Sequence, residues 1–166
     1  MTSADIATLI LRVAIGVCIF LHGANKWRSP QARRGTAGWF ESIGMLRPQL
    51  QAAAAAFAEM VGGVFLLAGF IVPTAAGAVG STMIVAIVVA HRGNGFFIFN
   101  DGQGWEYCAI LVTACLAIGA LGGGRASLDH ALGWDYSGNM GIVTTLIIVL
   151  VAPAIHLATS YRPNKS

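Results

Sequence analysis

The sequence predicts an all-α, polytopic membrane protein. Apolar residues make up 56% of the 166 positions and charged residues only 10%, whereas a soluble domain typically carries about 25% charged residues. The apolar residues gather in five long segments and do not alternate with polar residues, as they would in the strands of a membrane barrel. Helices are therefore the expected spanning form, because a helix satisfies its own backbone hydrogen bonds.

The five apolar segments are the predicted spanning helices, each about as long as a hydrocarbon core of roughly 30 Å requires. Pro73 suits the first turn of the third helix, and Pro153 lies inside the fifth. The first segment lacks a basic leader and a clear cleavage site, so we expect a retained helix. The segments cover residues 6–22, 52–72, 73–91, 105–121 and 142–160.

An interfacial amphipathic helix is expected in the polar loop between the first two spanning helices. Four apolar residues in this loop recur at helical spacing beside Glu41 and Ser42, a pattern typical of a helix lying in the membrane interface. An ordinary loop is the alternative. The four residues are Trp39, Phe40, Ile43 and Leu46.

The basic residues predict the orientation in the membrane. Apart from Arg12, inside the first helix, and Arg125, all Lys and Arg residues fall on segments that share one side of the five-helix arrangement. The positive-inside rule then places the N-terminus outside and the C-terminus in the cytoplasm of a bacterial plasma membrane. None of these residues is interleaved with aromatics on a polar helix, so no nucleic-acid surface is expected. The residues sharing one side are Lys26, Arg28, Arg33, Arg34, Arg47, Arg92, Arg162 and Lys165.

The three cysteines, Cys18, Cys108 and Cys115, all lie inside apolar segments. Their number is odd and no CxxC motif occurs, so a disulfide framework or metal site is not predicted. We expect them to be small buried apolar side chains.

Two charges interrupt the apolar segments, Arg12 in the first and Glu59 in the second. A lone charge in mid-membrane costs roughly 2.5–3.5 kcal/mol. Counting from the expected helix ends at 1.5 Å per residue puts Glu59 about 10 Å and Arg12 about 16 Å deep. The sequence thus predicts an Arg12–Glu59 ion pair inside the bundle, either as structural pairing alone or with a role toward a proton, a quinone or another ligand.

Several polar and aromatic residues are expected at one membrane face, because the up-and-down helix order brings these helix ends together. In the loop 91–107, glycines and aromatic residues predict either an interfacial aromatic belt or a partly re-entrant loop lining a cavity above Glu59, where a quinone ring could stack. His22 and His91 are haem ligands in principle, without a recognisable haem motif. The ligand or quinone candidates are His22, His91, Asn94, Phe97, Trp105 and Glu106.

Six short motifs occur in an order that resembles the DoxX family. They are LRVAIGVCIFLHGANK from Leu11, GTAGWFESIGM from Gly35, FAEMVGGVFLLAGF from Phe57, NGFF from Asn94, WEYCAILV from Trp105 and GGGRASLD from Gly122. The resemblance implies a DoxX-like four-helix transmembrane bundle of bacteria and archaea. The family takes its name from a subunit of a thiosulfate:quinone oxidoreductase, and its relatives are linked to membrane oxidoreductase assemblies and oxidative-stress defence.

The fifth helix departs from that resemblance. We expect a DoxX-like domain over residues 1–132, followed by a linker, the extra transmembrane helix and a cytoplasmic tail over 133–166. The extra helix offers a surface for docking onto another membrane subunit. The family pattern falls on Arg12, His22, Gly23, Glu59, Gly62, Gly63, Asn94, Gly95, Glu106, Arg125 and Asp129.

The first functional hypothesis, which the family resemblance implies, is an accessory, non-catalytic membrane subunit of a bacterial oxidoreductase or respiratory electron-transfer complex. No flavin, iron–sulfur or copper motif is recognisable, which argues against catalysis by the chain alone. On this hypothesis the isolated chain is not an enzyme. The alternative is a quinone-linked oxidoreductase subunit with Glu59 as proton acceptor, and a third is a small-molecule or ion carrier using Arg12 and Glu59. No covalent or motif-bound cofactor is expected. A quinone and membrane lipids are the expected small-molecule contacts.

Overall fold

The computed structural model describes residues 1–134 and 136–163, and this part of the chain is helical, with one isolated antiparallel bridge between Met45 and Tyr161. The all-α prediction is confirmed. After α4 the chain continues as a π-helical turn, Ile87–His91, and a 3₁₀ turn, Arg92–Asn94. The α-helices are α1 (Ser3–Trp27), α2 (Pro30–Ser42), α3 (Pro48–Ala68), α4 (Val72–Ala86), α5 (Glu106–Leu121), α6 (Leu128–Ala131) and α7 (Gly138–Ser160).

Five helices run between the two ends of the bundle: α1, α3, α4, α5 and α7. Four of the described helices are long and apolar enough to cross a membrane, namely α1, α3, α7 and α4 with its continuation to Asn94. The remaining one, α5, has 16 residues, which is about 24 Å. It nevertheless runs alongside α1, because Tyr107 near its start contacts Cys18 while Gly122 after its end accepts a hydrogen bond from Thr8.

We call one end of the bundle the basic end. It contains the C-terminal ends of α1 and α7 with the residues that follow them, the continuation of α4 to Asn94, the N-terminal ends of α3 and α5, and the whole of α2. Seven of the basic residues assigned above to one side lie in these described segments, and Lys165 lies outside the described residues. The opposite end holds the start of α1, the α3–α4 connection and the segment 122–134.

A helix, α2, does form in this loop, but it lies earlier in the chain than the apolar pattern predicted. Its location in the membrane interface stays a prediction. Ser29 caps its start by accepting the backbone N–H of Ala32, and Pro30 occupies the first turn. The helix ends at Ser42, because Gly44 turns the chain with a φ of +89°. Trp39 and Phe40 are therefore helical, whereas Ile43 and Leu46 follow the helix.

The contact between α1 and α3 is made through small residues. Gly16 meets Gly63, and Gly23 meets the backbone carbonyl of Ala56. A Cβ atom added to Gly63 would lie 2.7 Å from the carbonyl oxygen of Gly16 and 2.9 Å from the backbone nitrogen of Phe20. Such backbone proximity is typical of membrane helices packed through small residues, and it sets the antiparallel register of the two helices.

The opposite end is closed by two buried charged residues. Arg12 is fully buried and donates hydrogen bonds to the carbonyls of Leu66, at 3.1 Å, and Ala126, at 2.7 Å. The carboxylate of Asp129 accepts the backbone N–H groups of Ile71 and Val72 at 2.7 and 2.9 Å. A carboxylate there satisfies free donors at the start of α4 and complements the helix dipole. The segment 122–129 is thereby bound to α1, α3 and α4.

The last helix, α7, packs directly against α4 and α5. The buried Thr145 hydroxyl donates to the carbonyls of Pro73 and Gly141, and Gly77 and Gly80 of α4 face Ile148 and Val149. Its structural role is thus that of a bundle member, with one outward apolar face. The division into domains at residue 132 stays a prediction.

The C-terminal end of α7 is bound to the loop between α2 and α3. The backbone N–H of Leu46 donates to Ser160 at 2.8 Å, and that of Arg162 donates to Gly44 at 2.9 Å. These two bonds hold the intervening Met45, which is 5% exposed, against the bundle.

Substituting Gly63 by alanine should destabilise the bundle by roughly 1–3 kcal/mol, because the new methyl group meets backbone atoms of α1 that cannot rotate away. The measurement is thermal unfolding in detergent, followed by circular dichroism. Gly35→Ala is the matched control: it lies on α2, and its Cβ would meet nothing within 4 Å. Equal unfolding temperatures for the two variants would contradict the assigned contact.

Candidate functional site

A cavity of about 500 Å³ opens at the basic end, between α1, α3, α4, α5 and α7. Its size falls in the range of small-molecule sites, roughly 300–1,000 Å³. Most of its wall is apolar, with Ile19, Met45, Ala55, Met83, Val89 and Pro153 among the lining residues. The polar lining side chains are fewer, and they come from different elements: Lys26, His22, Gln51, Glu59, His91, Gln103, Tyr107 and His156, with Ser81 and Thr82 of α4.

An ion pair between Lys26 and Glu59 lies in the wall of this cavity. Lys26 Nζ is 2.5 Å from Glu59 Oε2, with side-chain exposures of 22% and 8%. The two residues are not level along the bundle. They meet because side chains tilt toward the N-terminus of their own helix, and α1 and α3 run antiparallel. The ammonium therefore reaches inward and the carboxylate outward, so Glu59 has an opposite charge beside it.

The predicted Arg12–Glu59 ion pair is wrong. Arg12 donates instead to the carbonyls of Leu66 and Ala126, and the seven residues from Glu59 to Leu66 span about 10 Å of helix. The observed helix ends, Trp27 and Pro48, move both depth estimates by the same four residues and leave their difference of about 6 Å unchanged. The pair does not form because each side chain tilts toward the N-terminus of its own helix, which carries Arg12 and Glu59 toward opposite ends of the antiparallel helices. Arg12 does not line the cavity, and among the described residues its Nε has no hydrogen-bond partner.

Three histidines from separate elements line the cavity. His22 lies beside Tyr107, with ring centroids 6.3 Å apart, and His91 Nδ1 is 3.0 Å from the carbonyl of Gln103. His156 of α7 is the third. The expectation that His22 and His91 share one end of the bundle is confirmed. Within residues 1–134 and 136–163, no group of three or more His, Cys, Asp or Glu side chains could hold a metal ion.

The loop after α4 folds over the cavity through Asn94. Its side-chain amide donates to the carbonyls of Ala90, Gly102 and Gln103 at 3.2, 2.7 and 3.1 Å. The loop contributes Ile98, Gln103 and Gly104 to the cavity wall. Part of the predicted loop therefore does lie over the same cavity as Glu59.

Four aromatic residues of this loop do not provide the predicted ring-stacking surface, namely Phe96, Phe97, Phe99 and Trp105. Phe97 is half exposed and stacks on Phe99 at 5.1 Å between centroids, while Trp105 packs edge-on against Phe96 at 4.7 Å. These rings pack on one another outside the cavity. Glu106 accepts the backbone N–H of Ile98 and so shapes the loop. Of the six ligand candidates, only His22 and His91 line the cavity; Asn94, Phe97, Trp105 and Glu106 do not.

Several residues that line the cavity are not predicted as site residues by the sequence. Lys26 is one of the basic residues that predict the membrane orientation, and its spacing of four from His22 and seven from Ile19 also places all three near one helix face. Tyr107 was grouped with the aromatic belt, yet its hydroxyl lies 2.8 Å from Cys18 Sγ and its side chain lines the cavity. Gln51 and His156 carried no local signal, because the packing of α3 and α7 places them there. The three cysteines are free, and Cys108 forms part of the cavity wall.

Comparison with known proteins finds similarity over most of the chain. The profile of the family described as DoxX matches residues 7–92. The Bacillus subtilis (strain 168) protein named "Putative oxidoreductase CatD" is 36% identical over 116 residues, which is 70% of this chain and 81% of that protein. No solved structure matches.

A double-mutant cycle should distinguish the observed ion pair from the predicted one. Lys26→Met leaves a mostly buried carboxylate unpaired, and Glu59→Gln leaves the ammonium unpaired, so both variants should unfold at lower temperature in detergent. The loss of unfolding free energy in the double variant should be smaller than the sum of the losses in the two single variants, by about 0.5–3 kcal/mol.

The control cycle combines Arg12→Met with Glu59→Gln. These two side chains share no hydrogen-bond partner. The losses of unfolding free energy in the two single variants should therefore add, within about 0.5 kcal/mol, to the loss in the double variant. Coupling in the Arg12 cycle, together with additivity in the Lys26 cycle, would contradict the assigned geometry.

Proposed function

The chain belongs to the DoxX family, and from that membership together with the cavity we propose that it is an integral membrane subunit of an oxidoreductase system that binds a quinone. The observation that carries the proposal is one cavity that combines a mainly apolar wall with an ion pair, three histidines and a tyrosine. The relative named as an oxidoreductase supports the broader part of the proposal.

The cavity suits the two chemical features of a quinone. The flat ring and its apolar substituents need a desolvated wall, which the alanine, valine and methionine side chains supply. The two carbonyl oxygens need hydrogen-bond donors. Lys26, Tyr107 and His156 are potential donors carried by three different helices of the cavity wall. In our proposal a ring bound between them is held at both oxygens.

Reduction of a quinone to a quinol takes up two electrons and two protons. In our proposal the electrons come from a redox-active partner subunit. Protons reach the ring oxygens from the cavity side chains. Glu59 is the proton-exchanging carboxylate, and Lys26 holds it while the site is empty. Ligand carbonyls that draw the ammonium away would free the carboxylate for proton transfer.

The assembly proposal concerns α7. Its outward face carries large apolar side chains that lie at helical spacing, and it would contact either lipid or another membrane subunit. Because α7 also completes the bundle, deleting it would unfold the site as well as remove a docking surface. The exposed residues include Met140, Val143, Ile147, Leu150 and Ile155.

Filling the cavity should abolish quinone binding without unfolding the protein. We expect decylubiquinone or menadione to quench tryptophan fluorescence of the purified chain, since Trp39 lines the cavity. Ala58→Phe should weaken that quenching at least tenfold, because the new ring occupies the site. Ala154→Phe, at an exposed position of α7 outside the cavity, is the matched control and should bind normally.

Absence of saturable quenching by either quinone would overturn the ligand assignment. The accessory, non-catalytic role would then be the better hypothesis. Under that hypothesis, the wild-type protein and the Ala58→Phe variant should co-purify equally well with oxidoreductase subunits in mild detergent.

We also propose a bacterial plasma membrane location with the N-terminus outside and the C-terminus in the cytoplasm. The basis is the concentration of basic residues at one end of the bundle, against Arg125 at the other. A fluorescent protein that folds only in the cytoplasm should be bright when fused after residue 166. An alkaline phosphatase fusion at the same position should be inactive, and the reverse result would invert the orientation.

A further inference from the structure

A second, smaller cavity of about 290 Å³ lies between α2 and the adjoining ends of α1 and α3. We call it the interfacial groove. It is separate from the 500 Å³ cavity described above. The two cavities share Lys26, and their other polar lining residues differ. That polar and aromatic lining consists of Lys26, Trp27, Arg33, Arg34, Glu41 and Gln49.

The guanidinium of Arg33 is held by an aromatic ring. Its central carbon lies 4.9 Å from the ring centroid of Trp27, a cation–π distance. A cation–π contact does not use up the guanidinium N–H groups, which can still donate hydrogen bonds. A planar, edge-on set of donors is the arrangement that binds phosphate or carboxylate oxygens through paired hydrogen bonds.

The charges around the groove favour an anion. Lys26 is paired with Glu59, so Arg33 and Arg34 provide the positive charge that faces the groove. Glu41 is the one carboxylate among its lining residues. The balance is positive, and Gln49 adds an uncharged donor.

The position of the groove selects the kind of anion. α2 lies at the basic end of a bundle in which four of the described helices are long and apolar enough to cross a membrane. Trp27, which lines the groove, and Trp39 of α2 both have exposed side chains. Tryptophan at helix ends marks the headgroup level of a bilayer. The abundant anions at that depth are the phosphate groups of lipids, and basic residues there attract anionic ones.

We propose that the interfacial groove binds the phosphate-bearing headgroup of an anionic lipid, with Arg33 and Arg34 as its main ligands. This site is independent of the quinone proposal, because its two arginines do not line the other cavity. A failure of quinone binding would leave it untouched.

The test is native mass spectrometry of the full-length protein in detergent, titrated with dioleoylphosphatidylglycerol or dioleoylphosphatidylcholine. The wild type should retain one phosphatidylglycerol with clear preference over phosphatidylcholine. Arg33→Gln combined with Arg34→Gln should weaken retention roughly tenfold or more. Arg33→Lys keeps the charge but loses the planar set of N–H donors, so its phosphatidylglycerol retention should lie between those of the wild type and the double variant. This single variant replaces the double variant in the test if the double variant does not fold.

The matched control is Arg92→Gln combined with Arg162→Gln, which removes the same charge from exposed positions of the same end outside the groove. It should bind phosphatidylglycerol like the wild type. Equal losses in both pairs would show diffuse attraction and overturn the site, as would binding of the two lipids with equal affinity. Complete displacement of the lipid by millimolar inorganic phosphate would assign the groove to a soluble anion and overturn the lipid assignment.

Discussion

The close approach of α1 and α3 determines most of the remaining geometry. Gly16 against Gly63 and Gly23 against Ala56 allow backbone-to-backbone contact, and contact at that distance admits one antiparallel register. The register decides which polar side chains can meet. It brings Arg12 level with the end of α3, where unpaired carbonyls need donors, and it leaves Glu59 nearer to the end of α1, where Lys26 reaches it. The polar residues of the two helices are thus separated into two sites by a steric constraint among small residues.

The two ends of the bundle have become different because of that separation. At the opposite end, Arg12 and Asp129 use their charges on backbone groups of α3, α4 and the segment after α5, so the space is filled and closed. At the basic end, the helices surround a cavity whose wall carries polar side chains. Arg12 and Asp129 stabilise the fold by binding backbone groups. Lys26 and Glu59 line a cavity instead, where a bound ligand can compete for either side chain.

The wall of the cavity also includes residues from the turn after α4, the loop before α3 and the last helix, α7. The π-helical turn Ile87–His91 adds a residue to one turn of α4, and such turns are frequent at functional sites; here it carries Val89 and His91 into the wall. The strand-like pairing of Gly44 and Leu46 with the end of α7 keeps Met45 in place. Since α7 supplies Pro153 and His156 as well, the last helix participates in both the packing of the bundle and the lining of its site.

The sequence by itself determined the membrane class, the helical form and order of all five bundle helices, the presence of a helix in the first loop, and the end at which His22, His91 and Glu59 belong. Those conclusions follow from hydropathy, periodicity and chain direction, which are local or additive properties. Tertiary structure alone decided that Glu59 pairs with Lys26, that Arg12 binds backbone carbonyls, that Phe97 and Trp105 turn away from the cavity, and that Gln51 and His156 face it. Each of these depends on helix register and rotation, which are set by atomic contacts such as that of Gly16 with Gly63, and residue counting from uncertain helix ends does not resolve one turn.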